Sequence, residues 1–312
     1  MKNFNIFSPL KDISRISYRS DINLLRAIAV SSVVIYHSEI KLFDAGFLGV
    51  DLFFVISGYL ISNIIISDLN NDQFKFKNFY IRRIKRIIPA LLSVLIFTTP
   101  FAYYLLPANE YISYAKSVFA SLFFYSNLYF NNLDFYNSSG AELMPLLHTW
   151  SLAVEEQFYI LFPLFLFLIF RINKKILLKS LILLLIISFF MNQTELNDKF
   201  YLTQYRGWEL LVGSVAGFIP RINSNKFFTY FSYFLIIFPI CFFDDNWILD
   251  IEPKIILTAG VFFVLISNDS SSIFVKINNN KTIKNIGKAS YSIYLFHQPV
   301  YSFFKWFLYK YQ

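Results

Sequence analysis

Ionisable side chains set inside apolar stretches are the groups of this sequence best placed to do chemistry, because a charge in hydrocarbon is costly and marks function by default. The chain has three histidines, and His37, His148 and His297 all lie in, or at the edge of, apolar segments. Arg26 precedes His37 by 11 residues. On one helix that is about 16 Å of rise, so the guanidinium and the imidazole sit near opposite ends. Asp51 lies early in the next apolar stretch, and a short turn should return it to the depth of His37. A carboxylate beside an imidazole fixes one tautomer and makes a better base; the same pair is equally a structural hydrogen bond tying two helices. His148 and Glu155 are two helical turns apart and share one stripe, with Glu156 about a quarter turn away. Adjacent carboxylates at that depth require positive partners, for which His148 and Arg206 are available; a purely structural ion pair is the alternative.

Arg82, Arg83 and Arg86, together with Lys85, run directly into Pro89. Proline is tolerated in a first helical turn, so these arginines are expected to cap the inner end of a helix. There they either hold the phosphates of a nucleotide-bearing carrier or grip anionic lipid. His297 stands alone on its segment and reads as structural, with a local break expected at Pro299. No metal site is expected: no His-x-x-x-His pair occurs, and the single cysteine, Cys241, excludes a disulfide framework or a cysteine-based cluster.

The elements that must position these groups follow from composition. The 312 residues are 56% hydrophobic and 15% charged, against about 25% charged in a soluble domain, so a water-soluble fold is excluded. Lys and Arg exceed Asp and Glu by 8, yet the basic clusters, Lys2 to Arg19, Lys75 to Arg86, Arg171 to Lys179, Arg221 to Lys226 and Lys276 to Lys288, fall between apolar segments, whereas Asn131 to Leu147 carries none. This is the positive-inside pattern, and it accounts for the charge without nucleic acid. The expectation is an all-α, polytopic transmembrane bundle of about nine to ten spans forming one domain over residues 1–312, with a cytoplasmic N-terminal segment, 1–20. The spans are placed at 22–41, 45–66, 87–106, 150–170, 176–191, 204–220, 227–243, 253–268 and 289–308. Ser117 to Phe130 is apolar but short, as a re-entrant half-helix would be. Gly46, Gly49, Gly58, Gly213 and Gly217 are assigned to close helix packing.

Taken in order, six runs resemble the acyltransferase-3 family of integral membrane O-acyltransferases. They are Arg26-x10-His37; Gly46-Phe-Leu-Gly-Val-Asp51 through Ser57-Gly58; Tyr80-Ile-Arg82-Arg83-Ile-Lys-Arg86-Ile-Ile-Pro89; His148-Thr-Trp150-Ser through Glu155-Glu156-Gln157-Phe158-Tyr159; Arg206-Gly-Trp-Glu209-Leu-Leu-Val-Gly213; and Ser290-Tyr-Ser-Ile-Tyr-Leu-Phe-His297. The resemblance implies transfer of an acyl group, commonly acetyl, from acyl-CoA as co-substrate to a hydroxyl of a lipid-linked or surface carbohydrate, with no permanently bound cofactor. It also implies a multi-pass protein of a bacterial inner membrane, N-terminus cytoplasmic, in contact with membrane lipids.

On that resemblance Arg26 and the Arg82 to Arg86 cluster serve the donor, while His37 and the Glu155/Glu156 pair serve the chemistry. His37, oriented by Asp51 or by another carboxylate, acts as general base or takes the acyl group transiently. The His-Thr-Trp-Ser form of the fourth run is most like members that acylate O-antigen or other envelope glycans. Members usually continue beyond the Tyr-Leu-x-His helix into one more inward span, whereas this sequence stops at Gln312. Two other classes stay open from sequence: a transporter or flippase for a lipid-linked sugar, and a family member that has lost activity with its last helix.

Overall fold

The computed structural model describes residues 19–38, 43–133, 140–192, 200–244, 251–268 and 273–311. Nearly all of the expected cytoplasmic segment 1–20, and the centre of the Asn131 to Leu147 loop, lie outside the described residues. Among the described residues the fold is all α: α1 (Ser20–His37), α2 (Gly49–Asn70), α3 (Phe76–Leu105), α4 (Ala108–Leu122), α5 (Ser126–Asn131), α6 (Thr149–Ile172), α7 (Leu177–Asn192), α8 (Thr203–Ala216), α9 (Lys226–Phe242), α10 (Glu252–Ile266), α11 (Ile273–Asn279) and α12 (Lys281–Tyr311). Three helical stretches, Gly46–Asn70, Phe76–Leu105 and Thr149–Ile172, are long and apolar enough to cross a membrane. The other expected spans fall on shorter helices, such as α7 with 16 residues and α8 with 14, or on α12, whose 31 residues include several lysines.

Large apolar side chains point outward on several helices, among them Ile96, Tyr103, Leu161, Phe190, Phe227 and Phe242. A water-facing surface does not sustain so much exposed apolar area, whereas lipid does. Inside, α2 packs along α8, α1 along α12, and α9 along α10. The α2–α8 contact is made at backbone distance. A Cβ added to Gly213 would overlap the Val55 carbonyl oxygen, and one added to Gly58 would overlap that of Leu210. Gly213→Ala should therefore destabilise the protein by about 1–3 kcal/mol, the usual scale of overpacking. Gly140→Ala, where the new atom meets nothing, should leave the melting temperature in detergent unchanged. Equal melting of the two variants would show that α2 and α8 separate without loss.

Two sequence expectations are corrected. The third helix begins at Phe76, not near 87, so the arginine cluster lies on the helix and Pro89 in its interior. The reason is amphipathicity: Phe79, Ile87, Leu91 and Val94 are buried at helical spacing, and this continues the helix through the basic residues. The Ser117 to Phe130 segment is not one half-helix but the end of α4, a turn and α5. Phe124 takes a φ of 54°, uncommon for a residue with a Cβ. Its carbonyl accepts from Gln157 Nε2 at 2.9 Å, and Ser126 Oγ donates to the Thr149 carbonyl at 2.9 Å, so α6 holds the turn.

Candidate active site

Four helices, α1, α2, α6 and α12, each carry polar residues at two depths, and the two sets line two cavities. The first, about 70 Å³, is lined by Arg26 of α1, Ser57 of α2, Arg83 and Arg86 of α3, Glu155 and Tyr159 of α6, and Tyr291 of α12. The second, about 480 Å³, is lined by His37, Asp51, His148, Arg206 and His297. One water needs about 10–15 Å³ by this measure, so the first cavity takes a narrow chain and the second a bulkier molecule.

At the arginine end, Glu155 accepts hydrogen bonds from Ser57 Oγ at 3.0 Å and from the Tyr159 hydroxyl at 3.1 Å. Arg26 and Arg86 lie within electrostatic reach of Glu155, and Arg83 and Arg86 within reach of Glu156. The carboxylate pair thus belongs with the arginines, not with His148 or Arg206 as the sequence suggested. Two helical turns place Glu155 on the same stripe as His148 but about 10 Å deeper, in the other cavity. Arg82 parts from its neighbours: it bonds Asp68 at 2.8 Å with its side chain 49% exposed, and it does not line the cavity. Arg83 and Arg86, three residues apart, share the face that does.

At the histidine end, His37 Nδ1 lies 2.9 Å from the Val33 carbonyl oxygen. A carbonyl only accepts, so Nδ1 carries the proton and Nε2 is the basic nitrogen. His297 makes the same kind of contact from Nδ1 to the Tyr294 carbonyl, and its buried Nε2 has no hydrogen-bond partner among the described residues. The rings of His37 and His297 are 5.0 Å apart, and those of His148 and His297 5.5 Å. His148 lies against the Leu295 carbonyl, which Pro299, four residues on, cannot engage because it has no N–H. Proline therefore leaves an acceptor beside the site without the expected helix break, since α12 runs through to Tyr311. Among the described residues no group of histidine, cysteine, aspartate or glutamate side chains is arranged to hold a metal ion.

Asp51 lines the same cavity as His37 and is bonded to Arg206. Its Oδ1 accepts from Arg206 Nη2 at 2.9 Å, and Arg206 Nε lies 3.3 Å from Glu209 Oε1, all three side chains being at most 3% exposed. The guanidinium also packs on Phe54, Trp150 and Phe200, with 5.0 Å to the nearest ring centre. Planarity and weak hydration suit arginine to such a site. Sequence reasoning treated Arg206 only as a possible partner for Glu155 and His297 as a lone structural residue. The signals available were the family runs that begin at Arg206 and end at His297, and the proline two residues beyond His297.

The Acyltransferase domain family matches residues 19–312. The O-acetyltransferase OatA of Staphylococcus aureus (strain NCTC 8325) is 34% identical over 321 aligned positions, covering 95% of this chain and 53% of that protein. A putative O-acetyltransferase of Staphylococcus aureus (strain MSSA476) is 33% identical over 312 positions, covering 93% and 52%. The chain spans about half the length of the curated relatives it matches. No solved structure matches it significantly.

Proposed function

This chain belongs to the acyltransferase family so identified, and from that premise we propose that it moves an acyl group, acetyl in the first instance, from acyl-CoA to a hydroxyl of a cell-envelope carbohydrate. The observation that carries the reading is the pair of cavities, one lined by arginines and one by histidines, built at two depths of the same four helices. The basic clusters support a cytoplasmic arginine end, by the positive-inside rule. Among the described residues the nine helices that coincide with the apolar runs, α1, α2, α3, α6, α7, α8, α9, α10 and α12, are then read as spans, and the α4–α5 turn as a re-entrant element entered from the outer face.

Arg26, Arg83 and Arg86 hold the donor's phosphates, as planar guanidinium groups do well. The carbohydrate occupies the histidine-lined cavity. Nε2 of His37 takes the proton of the acceptor hydroxyl as its oxygen attacks the thioester carbonyl. The C–S bond then breaks, the proton passes to the thiolate, and the products are the sugar ester and free CoA. The second reading, a transporter or flippase for a lipid-linked sugar, has no role for an arginine-lined cavity separate from the sugar-sized one.

Purified protein reconstituted in vesicles with radiolabelled acetyl-CoA and envelope glycan should give alkali-labile label on the glycan, and loss of the gene should remove that ester from the envelope. Glycan without label, from protein that binds CoA and melts cooperatively, would rule the transfer out. Within the donor site the structure separates the arginines. Arg83→Gln and Arg86→Gln should each weaken CoA binding by about 1.5–3 kcal/mol, the value of a charge-assisted contact, whereas Arg82→Gln should change it little. Equal losses in all three variants would mean a diffuse basic surface.

A further inference from the structure

Val50 and Tyr294 are the two residues that line both cavities, so whatever passes from the arginine end to the histidine end passes them. Tyr294 is only 8% exposed, and its position is fixed from several directions. Its hydroxyl lies 2.6 Å from Ser151 Oγ and donates to the His148 carbonyl at 3.1 Å. Ser151 Oγ is also 3.1 Å from that carbonyl, and with one proton on each hydroxyl the arrangement is Ser151 donating to Tyr294 and Tyr294 donating to the last carbonyl before α6, a compact triangle held by two hydrogen bonds. The ring is flanked by Phe53, with centres 5.9 Å apart, and by the imidazoles of His297 at 5.2 Å and His148 at 5.6 Å. Val50, the other shared residue, has only a short apolar side chain and packs against the apolar cluster that contains Tyr294.

We propose that Tyr294, latched to Ser151, is the partition between the donor and acceptor cavities, and that the width left between it and Val50 limits the acyl group to a short one. This rests on the acyl-transfer reading above. The ring lies between the Arg83 and Arg86 end and the His37 end, so the thioester end of a donor held by its phosphates must reach Tyr294 before it reaches the base. A neutral hydroxyl pair is a latch that a small group can displace, because two neutral hydrogen bonds are weak beside the many contacts of a bound carrier. The closed ring also keeps water of the larger cavity from a waiting thioester, a protection active sites commonly require. The partition is thus a specificity-determining and water-excluding element. It takes no part in bond making, and it requires no co-reactant beyond the donor and acceptor.

Two measurements on the full chain test this. In a Cys241→Ser background, Ser57→Cys places a thiol on the arginine side of the partition, and a small anionic methanethiosulfonate is applied from the histidine side of oriented vesicles. Adding Tyr294→Leu should raise the labelling rate at least tenfold; an unchanged rate in a variant that still melts cooperatively overturns the partition. This readout needs no activity, so it stands apart from any failure of the acyl-transfer reading, which would appear as absence of transfer from every acyl-CoA by the parent protein. In an active parent, Tyr294→Leu and Val50→Ala should shift the kcat/KM ratio of butyryl-CoA to acetyl-CoA at least tenfold toward butyryl. Tyr294→Phe, which keeps the ring and loses the latch, should keep that ratio within about twofold while raising acceptor-independent hydrolysis of acetyl-CoA about fivefold. Ratios that do not move in the Leu and Ala variants, or hydrolysis that does not rise in the Phe variant, would remove Tyr294 from the control of what crosses.

Discussion

Replacing His37 by glutamine is expected to lower acyl transfer by about 10²-fold or more, the scale of losing a general base, while the protein still inserts and melts near the parent temperature. Glutamine can still donate to the Val33 carbonyl that fixes the imidazole, because its amide both donates and accepts, so a structural role would survive the change. What glutamine lacks is a nitrogen that takes a proton near neutral pH. His37→Ala should be no more active. Glu155→Gln should impair turnover through the donor end, where Glu155 sits among Arg26, Arg86 and Tyr159, and so should raise the KM for acyl-CoA as well. Measurement of kcat and KM for both substrates separates these effects. If His37→Gln retains most of the transfer rate of the parent, His37 is not the base.

The largest effect on stability is expected at Arg206. Arg206→Gln leaves Asp51 and Glu209, at most 2% exposed, without the cation between them. Breaking a buried pair by removing one partner costs about 3–5 kcal/mol, because the remaining charge stays desolvated. The folded yield in membranes should fall sharply and the melting temperature with it. Lys254, 3% exposed, also acts electrostatically on Glu209 and sits 5.7 Å from the Phe200 ring centre, so Arg206→Gln with Lys254→Met should lose more than Arg206→Gln alone. Asp51→Asn should be milder, and the double variant should lose less than the two single losses added, the signature of direct coupling. If Asp51→Asn instead abolishes transfer at an unchanged melting temperature and the double variant is simply additive, Asp51 acts on the chemistry and not through Arg206.

Periodicity and charge determined the broad plan of this protein, for reasons local to the chain. Apolar runs long enough for a helical span, with basic breaks between them, pointed to an all-α fold, in which each segment satisfies its own backbone groups without water, and among the described residues nine helices fall where those runs lie. The positions of Arg26, His37, Glu155 and Glu156 along their helices were also legible, since rise per residue fixes depth once a helix is assumed. Helix ends were less so: the amphipathic stretch from Phe76 to Arg86 carries charge on one face and buried Phe79 on the other, and a reading based on mean apolarity stops short of it.

Only the tertiary structure decided which groups meet. Depth along a helix says nothing of rotation about its axis or of which neighbour it faces, so Asp51 could be placed level with His37 while its partner, Arg206, comes from a helix 155 residues further on. The same reason took Glu155 and Glu156 to the arginines and Arg82 away from them, and brought His297 from the far end of the chain to within 5.0 Å of His37 in ring separation. Tyr294 stood in the sixth family run with no role attached to it; it is read as a partition because α12 packs along α1 while the Tyr294 hydroxyl reaches α6. Sequence spacing fixes what lies on one helix, and the close packing of helices through Gly58 and Gly213 fixes which of those faces share a cavity.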